Sequence, residues 1–189
     1  MTIFLKNPEI LFTFEEFQQK IMQLSQAMHL DLTEQEIDHL AIRVNEQDEA
    51  QKWLDLLLKY GTIISQNEVN GRPIYLIKLA MPITIFNNQV SVIELPFPKK
   101  IYPVTGWEHL EIVMPFLDKE SIEDWEKRIL THYGWLDNES LKVKCSQPQV
   151  EGEQKPNPSI AVSFKESMHN HCCIKVHPYT IESIIEVLK

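Results

Sequence analysis

Glycine is scarce in this chain, with five in 189 residues, and none of them builds a phosphate-binding loop. A serine nucleophile elbow and an HExxH zinc helix are also missing, so hydride transfer on a bound nucleotide and serine hydrolysis lose their usual marks. Three cysteines, two of them adjacent at Cys172 and Cys173, do not make a disulfide framework, and their odd number favours a reducing compartment. No stretch approaches the ~20 apolar residues of a membrane helix. Met1 to Phe17 mix Lys6, Pro8, Glu9, Glu15 and Glu16 into the apolar residues, unlike a signal peptide, and a cytoplasmic location is expected. Positive charge is in deficit too: 18 Lys and Arg face 27 Asp and Glu, a formal charge of -9. Such a surface repels phosphate backbones and anionic lipid heads, which argues against nucleic acid or membrane as partner.

What the chain does have is a repeat. Trp107 to Met114 reads as a strand with Leu110, Ile112 and Met114 on one side and His109 and Glu111 on the other. Seventy residues earlier, Asp38 to Val44 repeats the pattern, with Leu40, Ile42 and Val44 on the apolar side and His39 in the place of His109. A helical stripe follows each strand. Ala50, Trp53, Leu54 and Leu57 lead to Tyr60-Gly61, and Ile122, Trp125, Ile129 and Tyr133 lead to Tyr133-Gly134. In both places the glycine suits a helix C-cap.

Three more strands complete each unit. In the first, Thr62 to Val69 and Ile74 to Leu79 flank Asn70-Gly71, a strong hairpin signal, and Gln89 to Leu95 follows a break at Pro82 and a polar tip at Asn87-Asn88. In the second, the strands are Leu141 to Ser146, Ser159 to Phe164 and Cys172 to His177, and Thr180 then caps a closing helix. Between the middle two, Pro148, Gly152, Pro156 and Pro158 mark a long connection, of the kind that serves as a functional cover or is simply mobile. Upstream, Thr13 with Glu16 resembles a capping box before Phe14, Phe17, Ile21, Leu24 and Met28, and Thr33 with Glu36 resembles a second. The expected organisation is a helical addition over 1–36, a first βαβββ module over 37–98, a linker over 99–106 and a second βαβββ module over 107–189. The fold class is α+β, with a curved mixed sheet around one groove and one compact domain overall.

Asp38 to Val44, Asn70-Gly71-Arg72-Pro73, Val92-Ile93-Glu94-Leu95-Pro96, Gly106-Trp107-Glu108-His109 and Val176-His177-Pro178 resemble the YecM family over about residues 36 to 187. The paired modules resemble the vicinal oxygen chelate superfamily, to which glyoxalases, extradiol dioxygenases and epimerases belong. That resemblance implies a divalent metal between the modules, held by residues of their first and fourth strands and facing an oxygen-rich substrate. Carried onto this sequence, it implies His39, Glu94, His109 and His177 as metal ligands, with His177 where a carboxylate is often found. Strand alternation agrees, because each of these residues faces away from its apolar neighbours. Three imidazoles and one carboxylate suit iron, zinc, nickel or manganese alike.

Glu111 shares a face with His109, about 7 Å along the strand, where either a further ligand or a general base could sit. It is the expected proton-transfer group, a role that needs burial to raise its pKa toward neutrality. Arg43, Arg72 and Lys175 are the expected substrate-binding cations, which would favour an anionic ligand. Each of these residues also has an ordinary structural reading as an ion-pair partner or edge guard. His169-Asn170-His171-Cys172-Cys173 has soft-metal ligand types without a recognised spacing, and reads more simply as a polar tip running into a strand. Trp53 and Trp125 read as core, whereas Trp107 and Trp135 stand at element ends, where a groove-rim contact and plain packing are equally allowed.

The expected partner is a small molecule, and two modules in one chain allow a monomer. Two functional readings stay open at this point. One is a metal-dependent isomerase, lyase or oxygenase, and the other is a binding protein that uses the same groove without chemistry.

Overall fold

A computed structural model describes residues 3, 7–68, 71–147 and 157–185. In chain order the elements are α1 (Pro8–Ala27), β1 (Glu36–Arg43), α2 (Gln47–Leu57), β2 (Gly61–Glu68), β3 (Pro73–Ile85), β4 (Asn88–Pro96), β5 (Gly106–Val113), α3 (Ile122–Tyr133), β6 (Leu141–Ser146), β7 (Ser159–Phe164), β8 (Cys173–His177) and α4 (Ile181–Ile185). The expected strand, helix and three-strand order is present twice. The eight strands form one mixed sheet ordered β2-β3-β4-β1-β5-β8-β7-β6. Each first strand lies parallel to its own fourth strand, and the two first strands meet antiparallel at the centre. The halves are thus related by an approximate two-fold axis between β1 and β5.

Alternation decides which side is dry. Leu40, Ile42, Ile93, Leu110, Ile112, Ile174 and Val176 face one way and are buried with Phe14, Phe17, Ile21 and Leu24 of α1 and Trp125 and Ile129 of α3. Each such side chain contributes roughly 1.5–3 kcal/mol on burial, which secures the sheet and the helices together. The opposite face carries the polar set. Ser65 of β2 and Lys144 of β6 come from opposite edges of the sheet yet line the same cavity. Seven strand spacings laid flat would separate those edges by roughly 33 Å, so the sheet curls around the cavity.

Several local expectations are corrected. The first helix starts at Pro8, near the start of a helix where its missing N–H costs nothing, and Thr13 sits inside it with its hydroxyl on the Ile10 carbonyl. At Thr33 the local bonds come from Asp31, which accepts from both the backbone and the hydroxyl of Thr33, while Glu36 already belongs to β1. The two Tyr-Gly stops differ. Gly134 has φ 63° and closes α3 with its N–H on the Leu130 carbonyl, as the cap requires. Gly61 instead opens β2, at a place where a Cβ would lie 2.4 Å from the Lys78 carbonyl oxygen and only glycine fits. Pro82 does not end its strand. β3 runs on to Ile85, with a register shift between Lys78 and Ile83 that leaves the proline out of the ladder.

The tight turn after β3 uses Phe86 and Asn87, both at positive φ. Asn70, part of the expected hairpin turn, and residues 148–156 of the long connection lie outside the described residues. Trp107 and Trp135 take the packing alternative. Trp107 meets Phe14, Phe17 and Trp53, and Trp135 stacks on Tyr133 with its indole N–H on the Met28 carbonyl.

Candidate metal centre

The site begins with two irregularities in one strand pair. Along β1 and β5, Ile37 faces Ile112 and His39 faces Glu111, which leaves Asp38 as an extra residue on β1. Further on, Ala41 faces His109 and Ile42 faces Trp107, which leaves Glu108 as an extra residue on β5. A bulge bends the strand and re-aims a side chain. Here each bulge sets a carboxylate beside the histidine that follows it: Asp38 Oδ2 is 2.8 Å from His39 Nδ1, and Glu108 Oε2 is 2.8 Å from His109 Nδ1. Both imidazoles are therefore held from behind and turn Nε2 toward the middle of the groove face. Carboxylate, imidazole and metal in that order are a common arrangement, because the carboxylate fixes the tautomer and the ring.

In the middle, donor atoms of His39, Glu94, His109 and Glu111 lie within 4.8 Å of one another. His39 Nε2 is 3.7 Å from Glu94 Oε2 and 3.6 Å from Glu111 Oε1, and His109 Nε2 is 3.2 Å from Glu111 Oε1. Donors about 2.0–2.2 Å from a shared ion stand roughly 3–3.6 Å apart, so two of these separations match a common cation and the third, His39 to Glu94, needs only a small inward shift. His39 is almost fully buried, yet its Nε2 has no hydrogen-bond partner among the described residues. The chemistry of the set suits a divalent ion of the iron-to-zinc series.

His177 stands apart from that quartet. It groups with Asp38 and His39, its ring 5.8 Å from that of His39, and its Nε2 is 3.5 Å from Asp38 and 3.7 Å from Glu111 without a hydrogen bond among the described residues. The register explains why. Glu94 lies opposite Ala41, two residues after His39, and the equivalent position opposite Glu111, two residues after His109, is Lys175. His177 lies one strand repeat farther along. Lys175 Nζ is 2.8 Å from His109 Nε2 and 2.7 Å from Glu111 Oε1, so this expected substrate cation is in contact with two of the candidate ligands.

The other expected cations separate. Arg43 forks onto both carboxylate oxygens of Glu108 and stacks on Tyr102 at 4.2 Å, and it does not line the cavity. Arg72 does line it, with its guanidinium donating to the Tyr102 hydroxyl at 3.3 Å. Lys144 joins Arg72 and Lys175 on the wall, a residue sequence reasoning missed. The cavity is about 310 Å³, and Ile74, Leu76, Ile181, Ile184 and Ile185 give it an apolar side. Asp38 also fixes that side, since its Oδ2 accepts from the backbone N–H of Ile181 at 3.0 Å.

Charge sets the protonation states. Burial disfavours a charged His39, but Glu111, Asp38 and Glu94 outweigh it and hold the imidazole well above its ordinary 6.5. Burial alone would raise Glu94, yet His39 and Lys175 bring it down to about 2. Glu111, also buried, is held well below the carboxylate range by Lys175 and His39. The raised pKa that a proton-transfer role needs is thus missing from Glu111 in this arrangement. Lys175 is raised because Glu111 and Glu94 overcome its burial, whereas burial takes His177 below 6.5.

The soft-metal stretch does not assemble: among the described residues His169, His171, Cys172 and Cys173 form no metal-type group. Burial pushes the thiols of Cys172 and Cys173 up to about 12.

A family model described as YecM protein matches residues 6–187. The chain belongs to the YecM family. An uncharacterised protein of Haemophilus influenzae is 53% identical over 174 residues, covering 92% of this chain and 90% of its own. Protein YecM of Escherichia coli is 37% identical over 164 residues, covering 86% of this chain and 84% of its own. A solved structural-genomics structure, Protein EC4020, superposes with a TM-score of 0.80 at 33% identity, over 96% of this chain and 92% of that one. This chain has the paired-module plan that the resemblance implied, with candidate metal-ligand groups among its described residues.

Proposed function

We propose that this YecM protein is a divalent-metal-dependent enzyme of isomerase, lyase or oxygenase type that acts on a small, oxygen-rich, anionic substrate. The observation that carries the reading is His39 Nε2: buried, without a hydrogen bond among the described residues, and 3.6–3.7 Å from two carboxylates. His39, Glu94, His109 and Glu111 would hold the ion, with Asp38 and Glu108 orienting the two rings. Such an ion supplies Lewis-acid stabilisation of charge on substrate oxygens. Charge balance supports the same reading. Among the described residues, Asp38, Glu94, Glu108 and Glu111 face Arg43 and Lys175 as fixed cations, and the surplus of negative charge that holds a proton on His39 is one that a divalent cation would neutralise in its place.

The chain's own residues do the rest. Arg72 and Lys144 attract the acid group, and the isoleucines of α4 with Ile74 and Leu76 take up the apolar part and exclude water from it. Glu111 acts as a ligand in this reading, because its low pKa makes it a weak base. One observation favours the non-catalytic alternative: Lys175 already neutralises Glu111 and occupies His109. Elemental analysis of untagged protein, beside its His39→Ala variant, separates the two readings. One equivalent of metal in the wild type and little in the variant supports the metal centre; equal, substoichiometric metal in both rejects it.

A further inference from the structure

Lys175 holds the position in the second module that Glu94 holds in the first. β4 places Glu94 beside β1 two residues past His39, and β8 places Lys175 beside β5 two residues past His109. The duplicated site therefore has a cation where its own symmetry would put a second carboxylate. That cation is well seated, with Nζ 2.8 Å from His109 Nε2 and 2.7 Å from Glu111 Oε1.

The contact to His109 is the decisive one. Glu108 lies 2.8 Å from Nδ1, a contact that suits the tautomer with its proton on Nδ1, and in that tautomer Nε2 presents its lone pair to Lys175. An imidazole nitrogen has one in-plane lone pair, which serves either an ammonium proton or a metal ion. The two carboxylate oxygens of Glu111 are less exclusive, but Oε1 is the one that faces Lys175, His39 and His109.

We propose that the Lys175 ammonium and a divalent cation compete for His109 and Glu111, so that Lys175 sets the metal affinity of the site and swings toward the cavity when an ion binds. The proposal rests on the metal-centre reading above. Lys175 already lines the cavity with Arg72 and Lys144, so its release adds a cation to the wall that an acidic ligand meets. Metal binding and anion binding then reinforce one another, as linkage demands when each ligand favours the same lysine position.

The test is calorimetric titration of zinc(II) into the full, untagged chain. Wild type is compared with Lys175→Met, which keeps the stem and removes the charge, and with Lys175→Arg, which keeps a cation. His39→Ala serves as the control for the metal centre, and thermal melts confirm folding. Lys175→Met should bind zinc about tenfold or more tighter than wild type, and Lys175→Arg should not. Should Lys175→Met fail to fold, Lys175→Gln takes its place. If wild type and Lys175→Met bind zinc equally and both lose it on His39→Ala, competition is wrong and the metal centre stands. If no protein binds zinc more tightly than His39→Ala, the metal centre falls and the competition falls with it.

Discussion

Asp38 accepts from Nδ1 of His39 with the same oxygen that accepts the backbone N–H of Ile181, at 2.8 Å and 3.0 Å. One carboxylate thus aims an imidazole and anchors the helix that walls the cavity. Asp38→Asn should keep the anchor more nearly than the aim, because an amide can still accept from Ile181 but no longer stabilises the ring by its charge. Zinc affinity is expected to fall roughly 10–100-fold. Competition against a chromophoric chelator reads it, and an unchanged affinity would sink the orienting role.

Arg43 supports the site from outside the cavity. Its fork onto Glu108 is mostly buried, with side-chain exposures of 12% and 20%. Arg43→Ala strands the Glu108 charge and should cost about 3 kcal/mol of stability. Arg43→Lys should recover only part of this, since an ammonium cannot make the two-pronged contact. Urea unfolding midpoints check both, and a loss of anion binding with no loss of stability would return Arg43 to the substrate.

Acid should destabilise the metal-free protein through Glu94. Its folded pKa, about 2, lies below its ordinary 4.5. A depressed carboxylate contributes stability that is fully present above the unfolded pKa and is lost as pH falls through the folded one. Melting temperature should therefore drop between about pH 5 and pH 2 less steeply in Glu94→Gln than in wild type. Parallel pH profiles for the two proteins would contradict the assignment.

Gly61 and Gly134 look alike in sequence and should respond differently to alanine. At Gly134 the cost is that of a left-handed residue, about 1 kcal/mol, because nothing lies within 4 Å of the new methyl. At Gly61 the methyl meets the β3 backbone at 2.4 Å and the strand pair must move. Gly61→Ala should be the more destabilising by chemical denaturation; the reverse order would mean that β2 and β3 adjust freely there.

The sequence by itself determined the paired βαβββ plan, because strand alternation and helical stripes are local and appear twice. The same alternation put His39, Glu94 and His109 on one face, since each opposes an apolar neighbour that must be buried. It could not place Asp38 or Glu108, which alternation assigns to the dry side. A bulge breaks the two-residue period, and the signal that remained was an acidic residue directly before the histidine in both repeats. Tertiary structure alone decided that Lys175, rather than His177, is the counterpart of Glu94. That choice depends on the register of β8 against β5, strands some sixty residues apart in sequence, and a shift of one strand repeat there exchanges one residue for the other. It also set Arg43 against Glu108 and off the cavity wall, because strand pairing across β1 and β5 decides which carboxylate that guanidinium meets.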